Sequence, residues 1–237
     1  MKIRNAARQA GFTLVEIAIV LVIIGLLLVG VLQGQEMIEN TKVKTLVSDM
    51  KSIQAAYNGY IDRYKAIPGD EPVTAMAARG WTGTGGVAVV AAATPNGFLL
   101  AAPGAATFAI AAGSEHEGFW HALRSSGLLS GDPLALTTAA HPKHAFGGLF
   151  GIASNGGAAV PTVLGLPGVF VCANGLTTKQ AAAIDTLIDG PLPANNIGNN
   201  VGNLRASTAA LAAIVPGPLA YDEVATVANW NVCMRIG

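Results

Sequence analysis

The stretch Gly11-Phe12-Thr13-Leu14-Val15-Glu16 decides how the rest of this chain is read. It opens an apolar run over residues 12–32 in which Glu16 is the single charge. Lys2, Arg4 and Arg8 precede it, and residues 1–11 contain no acid. As a helix the run spans about 31 Å, enough to cross a hydrocarbon core. Cations on its N-terminal side hold residues 1–11 in the cytoplasm and place the chain beyond the run outside. A cleavable secretory signal has a shorter apolar core that ends in a small-x-small triplet. This run ends in Gln33-Gly34-Gln35-Glu36, so it reads as an anchor. A carboxylate inside such a segment is costly and is retained for a partner or a function. Glu16 therefore demands a partner.

Helical patterning continues beyond the anchor. From Val43 the apolar positions fall at Val43, Leu46, Met50, Ile53, Tyr57, Tyr60 and Tyr64, in alternating steps of three and four. No proline precedes Pro68. Pro68-Gly69-Asp70 is the predicted stop, because proline disfavours helical geometry in the residue before it. The expectation is one helix of about 50 residues, apolar all round over 12–34 and single-striped over 35–66. Its first part needs lipid or sister helices, and its second part a folded body.

Residues 67–237 read as a head of short elements between glycines and prolines. Ser114 with Glu117, and Thr177 with Gln180, spell capping boxes that open helices over 118–124 and 181–188. The first has Phe119, Trp120, Leu123 and Leu128 available to pack, with Gly127 as its one interior weakness, and Gly190-Pro191 stops the second. Predicted strands are 87–93, 147–153, 169–173 and 230–236. In the last, Trp230, Val232, Met234 and Ile236 alternate with polar neighbours, the period of a half-buried strand. Residues 191–202 and 216–218 read as loops. The fold class is α+β: a long N-terminal helix and a small sheet-bearing head.

Composition narrows the function. The 237 residues carry 14 basic and 14 acidic side chains, so no basic surface points to nucleic acid. No second apolar run reaches the ~18 residues of a membrane span. Cys172 and Cys233 both lie beyond the anchor. In an exported head they can form a disulfide closing a loop of about 60 residues, worth roughly 4 kcal/mol. In a cytosolic chain they would be two buried thiols. The N-terminal export signal favours the disulfide.

Gly11 followed by Phe-Thr-Leu-Val-Glu, a short basic leader and an apolar helix with an amphipathic continuation resembles the type IV pilin and pseudopilin family. The resemblance covers roughly residues 1–65. In the head, Ile67-Pro68-Gly69-Asp70, Phe119-Trp120 with Leu123, and the late cysteine pair are similar to proteobacterial pilin-like proteins. The resemblance implies removal of residues 1–11 by a prepilin peptidase that cuts between Gly11 and Phe12 and N-methylates Phe12. It implies an antiparallel sheet laid on the second half of the helix. It assigns Glu16, with Thr13, to the register of assembly: the new amine at Phe12, of the same subunit or the next, is the partner Glu16 lacks.

The partners so implied are copies of this chain or other pilins, the prepilin peptidase, an inner-membrane assembly platform, and lipid before assembly. The head would be periplasmic while the chain is anchored in the inner membrane, and would join a periplasmic or cell-surface filament later. The function implied is a major or minor pilin of a type IV pilus-like filament. The alternatives are a pseudopilin of a type II secretion system and, from another class, a membrane-tethered periplasmic enzyme. Gly25, Gly30 and Gly34 would ease local melting of the helix in a filament, or allow close helix contact in the membrane.

No further chemistry stands out in the head. His116 and His121, five apart, fall on different sides of a helix, and His141 and His144 flank a proline; they read as surface or loop histidines rather than zinc ligands. The glycines of 80–86 lack the strand–turn–helix setting of a phosphate cradle and read as a loop. No cofactor is expected. A calcium ion is the one candidate, at the oxygen-rich residues Asp185, Asp189, Asn195 and Asn196, with Asn199 and Asn200 nearby.

Overall fold

The computed structural model describes residues 13–81, 95–99, 107–108, 114–135, 137–154, 168–191, 197–198, 202–207, 221–222 and 229–237. Its longest element, α1 (Leu14–Tyr64), is 51 residues of uninterrupted helix. The chain divides into two units, Met1–Thr41 and Lys42–Gly237.

In the first unit α1 is long and apolar enough to cross a membrane. Every large apolar side chain from Leu14 to Leu32 is exposed in the isolated chain, Leu26 by 71%. This is the all-round apolar surface expected of a helix whose solvent is not water.

In the second unit α1 carries a stripe. Val43, Leu46, Met50, Ile53, Tyr57 and Tyr60 are buried as the three-and-four spacing predicts, and Val47 and Ala56 widen the stripe. Burying such side chains stabilises the head by roughly 1.5–3 kcal/mol each. The helix ends at Tyr64, short of the predicted 66: Lys65 takes a left-handed conformation at φ 54°, and its N–H reaches the Ile61 carbonyl at 2.8 Å. That turn lets Ile67 pack against the core the stripe belongs to.

A short helix α2 (Val73–Ala78) comes next, then α3 (Glu115–Ser125) and α4 (Thr178–Ile188). Both predicted caps form. Ser114 Oγ accepts from the Glu117 N–H at 3.4 Å, and Thr177 and Gln180 close a reciprocal box. Gly127 does not weaken the interior of α3. At φ 74° it terminates the helix, with its N–H on the Arg124 carbonyl and that of Leu128 on Leu123.

The main sheet has four antiparallel strands in the order β1-β2-β6-β4: β1 (Phe150–Ser154), β2 (Val169–Leu176), β4 (Leu204–Ser207) and β6 (Trp230–Arg235). β3 (Ile197–Gly198) and β5 (Tyr221–Asp222) pair separately. Val171, Ala173, Val232 and Met234 share the core with the α1 stripe and with Phe119, Trp120 and Leu123 of α3. The opposite face is also buried: Ala153, Phe170, Cys172 and Cys233 form a second cluster with Phe108 against it. A two-sided central pair explains why β2 reads as a continuous apolar run. The predicted strands at 147–153, 169–173 and 230–236 are thus present with shifted ends, whereas 87–93 lies outside the described residues. Cys172 and Cys233 sit opposite each other in the β2–β6 register and are disulfide-bonded.

The segment after α1 is latched by charge. Tyr60 donates its hydroxyl hydrogen to Glu71 Oε1 at 3.0 Å, and Arg79 meets Glu71 Oε2 at 2.5 Å while lying over the Tyr64 ring at 4.3 Å. Glu71 is buried. Asp70 beside it accepts from the N–H groups of Asn96 and Gly97. Gly69 is required at the turn: at φ 89° an added Cβ would strike the backbone of Glu115 and Phe119. Glu71→Ala is expected to destabilise the head by about 2–3 kcal/mol, since it strips a charged acceptor from two donors. Denaturant unfolding checks this, and an unchanged midpoint would refute the latch.

Candidate functional site

The candidate site is the N-terminal end of α1, where Thr13 and Glu16 close on each other. Thr13 Oγ1 accepts from the Glu16 N–H at 3.3 Å. Glu16 Oε2 in turn accepts from the Thr13 N–H and from its hydroxyl, both at 2.9 Å. With Leu14 as the first helical residue, this is a reciprocal capping box. It satisfies two backbone donors that a helix start otherwise leaves bare, and contributes about 1 kcal/mol.

The box changes the account of Glu16. Read from the sequence, the carboxylate lacks a partner until an amine is made beside it; in the folded chain Thr13 already supplies two hydrogens to it. Both contacts use Oε2, so the box does not require the second carboxylate oxygen. The signal was present, because Thr13-Leu14-Val15-Glu16 has the same spelling as the box at Thr177–Gln180. The apolar context drew attention to the charge and away from the cap. Gly11 and Phe12 lie outside the described residues.

Residues 6–32 match the family model described as the prokaryotic N-terminal methylation motif. The chain is type IV pilin-like in this segment. The match takes in the Thr13–Glu16 box and most of the apolar part of α1, and it stops before the head. No curated protein and no solved structure matches the chain. The pilin-type motif implies a precursor that a prepilin peptidase processes and that assembles with other pilins, and the apolar helix fits anchoring in the inner membrane before assembly.

Elsewhere the structure corrects the reading of the histidines. All four are buried rather than on the surface. His121 Nδ1–H donates to the Pro133 carbonyl at 2.6 Å, and His141 Nδ1–H to that of Phe150 at 2.6 Å. His144 Nε2–H donates to the Asn174 carbonyl at 2.9 Å, and its Nδ1 accepts from the Phe146 N–H. These three rings fasten loops to elements, a role no spacing rule reveals because the partners are backbone carbonyls beyond the reach of helix or strand periodicity. Among the described residues no three His, Cys, Asp or Glu side chains form a group able to hold a metal ion. Of the calcium candidates, Asp185 is buried near the end of α4. Asp189 already accepts from the N–H groups of Asn203 and Leu204, at 3.0 and 2.7 Å. Asn195, Asn196, Asn199 and Asn200 lie outside the described residues, as do 82–86 of the glycine-rich loop.

Two of the histidines make the head acid-sensitive. Burial pushes the His141 ring below its ordinary pKa; its bond to Phe150 opposes this and the nearby Arg124 charge adds to it. Burial likewise lowers His144, opposed by its bond to Asn174 and by the Asp49 carboxylate. Both are therefore neutral when folded and protonate more readily when unfolded. Their contribution is fully present above the unfolded value near 6.5 and is lost as pH falls from there toward the lowered folded values. The melting temperature should drop between pH 7.5 and 5.5; a flat profile over that range would contradict these burial assignments. Burial raises the Asp49 carboxyl, opposed by His144, so Asp49 costs stability as pH rises above its ordinary value of 3.8.

Proposed function

We propose that this chain is a structural subunit, a major or minor pilin, of a type IV pilus-like filament, and that it acts by assembly rather than catalysis. A prepilin peptidase cuts between Gly11 and Phe12 and methylates the Phe12 amine. The observation that carries this reading is a capping box, Thr13–Glu16, opening an apolar helix whose side chains have no cover in their own unit. Lipid covers that surface before assembly, and sister helices cover it afterwards.

The chemistry of registration comes from charge. Cutting creates a cationic amine one residue before the box, and methylation keeps its charge. In the low-dielectric core of a bundle, stranding the Glu16 carboxylate would cost about 3–5 kcal/mol. Thr13 holds the carboxylate in place, and the amine, from the same subunit or from the one beneath, neutralises it. A subunit out of register leaves charges unpaired, so the pair selects the axial position.

Mass spectrometry of the mature protein tests the proposal directly. The expected result is a chain beginning at methylated Phe12, with Gly11→Leu retaining residues 1–11. A mature protein that keeps Met1 would instead indicate a tethered membrane protein and would sink the reading.

A further inference from the structure

We propose that Asn96 modifies itself: its side-chain amide condenses with the Gly97 nitrogen to a succinimide, which water opens to aspartate or isoaspartate, with Asp70 moving the proton. The groups this step needs surround the turn at 95–98. The nucleophile is the Gly97 nitrogen, whose N–H donates to Asp70 Oδ2 at 2.7 Å. Asp70 is the base, buried and held in place by a second bond, from the Asn96 N–H to Oδ1 at 3.1 Å. The electrophile is the Asn96 side-chain carbonyl. Its Oδ1 accepts from the Phe98 N–H at 2.9 Å, an Asx turn that folds the amide over the Gly97 peptide. The same N–H is aimed at the oxygen on which negative charge develops. Gly97 takes φ 84°, and apart from its chain neighbours nothing among the described residues lies within 4 Å of where its Cβ would stand. Asn96 and Gly97 are exposed, so ammonia can leave and water can enter.

The step balances. As the Gly97 nitrogen attacks Cγ, its proton passes to Asp70 and Oδ1 becomes an oxyanion held by the Phe98 N–H. Collapse breaks the bond from Cγ to Nδ2, and Asp70 returns the proton to the departing nitrogen, which leaves as ammonia. One water then opens the ring at either carbonyl. Opening at Cγ gives aspartate with the main chain restored, and opening at the main-chain carbonyl gives isoaspartate, with an extra methylene in the backbone. Either product brings a second carboxylate beside Asp70, which weakens the hold on the loop there. Leu99, at the other end, stays moored: it is buried, and its N–H and carbonyl both meet Ser154 Oγ at 3.0 Å.

Spelling alone does not make the site. Asn174-Gly175 has the same two residues, and Gly175 also takes a positive φ, 72°. On β2, however, Asn174 Oδ1 is directed at the Leu149 N–H, 2.8 Å away and 25 residues distant in the chain, while His144 holds the Asn174 main-chain carbonyl. That side chain is committed across the fold instead of over its own next peptide.

Mass spectrometry of freshly purified full-length protein, incubated at neutral pH, follows peptides containing residues 96 and 174. Asn96 should convert at least about tenfold faster than Asn174, because only its amide is held over the attacking nitrogen. Each reacted chain gains one negative charge, read as an acidic shift in isoelectric focusing. Asp70→Asn keeps an acceptor at that position but supplies no base, and should slow conversion at 96 at least about tenfold. An unreacted Asn96, or equal rates at 96 and 174, overturns the proposal. So does an Asp70→Asn chain that converts as fast as the native one or faster, because Asp70 would then shield the nitrogen. If Asp70→Asn does not fold, the comparison of 96 with 174 in the unaltered chain decides by itself.

Discussion

Glu16→Ala is expected to be inserted and cut normally yet to be lost from filaments by more than about a hundredfold, the factor that corresponds to 3–5 kcal/mol. Two interactions disappear together in that variant: the Thr13 box, worth about 1 kcal/mol, and the charge pair with the Phe12 amine. Glu16→Gln separates them. Glutamine closes a capping box as glutamate does, but carries no charge. If the carboxylate's charge sets the register, Gln fails as Ala does; if the box alone matters, Gln assembles normally. Immunoblots comparing sheared filaments with membranes read both variants, and processed Glu16→Ala protein in normal filaments would end the register proposal. The structure makes this comparison necessary, because only there does Glu16 have a partner of its own.

Removing the disulfide is the second large effect. Cys172 and Cys233 are fully buried and join the two central strands, 61 residues apart in the chain. Loop-closure entropy puts the bond at roughly 4 kcal/mol, within the 2–5 kcal/mol typical of small exported domains. Cys172→Ala with Cys233→Ala is the cleaner variant, since serine would bring hydroxyls among Ala153, Phe170 and Phe108. The expected result is a large fall in the melting temperature of the head, reproduced in the native chain by a reductant strong enough to reach the bond. Equal melting with and without reductant would show that β2 and β6 hold without it.

Both effects act on features legible to different degrees in the sequence. The long helix could be read because its signals are local: an apolar run, then a three-and-four spacing that reports one face. The same holds for α3 and α4, whose caps and stops lie within a few residues of one another. The sequence misleads where a residue's role depends on its backbone conformation or on contacts beyond a turn of helix. Gly127 looked like a flaw inside α3, but it ends the helix by taking a conformation open to glycine. The histidines looked exposed because imidazole is polar, but in the fold all four are buried and three are bonded to backbone carbonyls. Glu71 and Arg79 are ordinary charges in the sequence; the fold pairs them directly and sets the Tyr60 hydroxyl against both.

By itself, then, the sequence determined the anchor, the stripe, the caps and the pilin-type start, all features whose causes lie within a turn or two of helix. Only the tertiary structure decided the strand order β1-β2-β6-β4, the two buried faces of the sheet and the groove that Lys44 and Lys51 rim with Leu187. These depend on segments from about twenty to more than a hundred residues apart meeting in space, and no local periodicity encodes which ones meet. Glu16 falls on both sides of that division. The cost of a charge in an apolar run and the spelling of a capping box are both in the sequence, while the hydrogen bonds by which Thr13 holds the carboxylate belong to the fold.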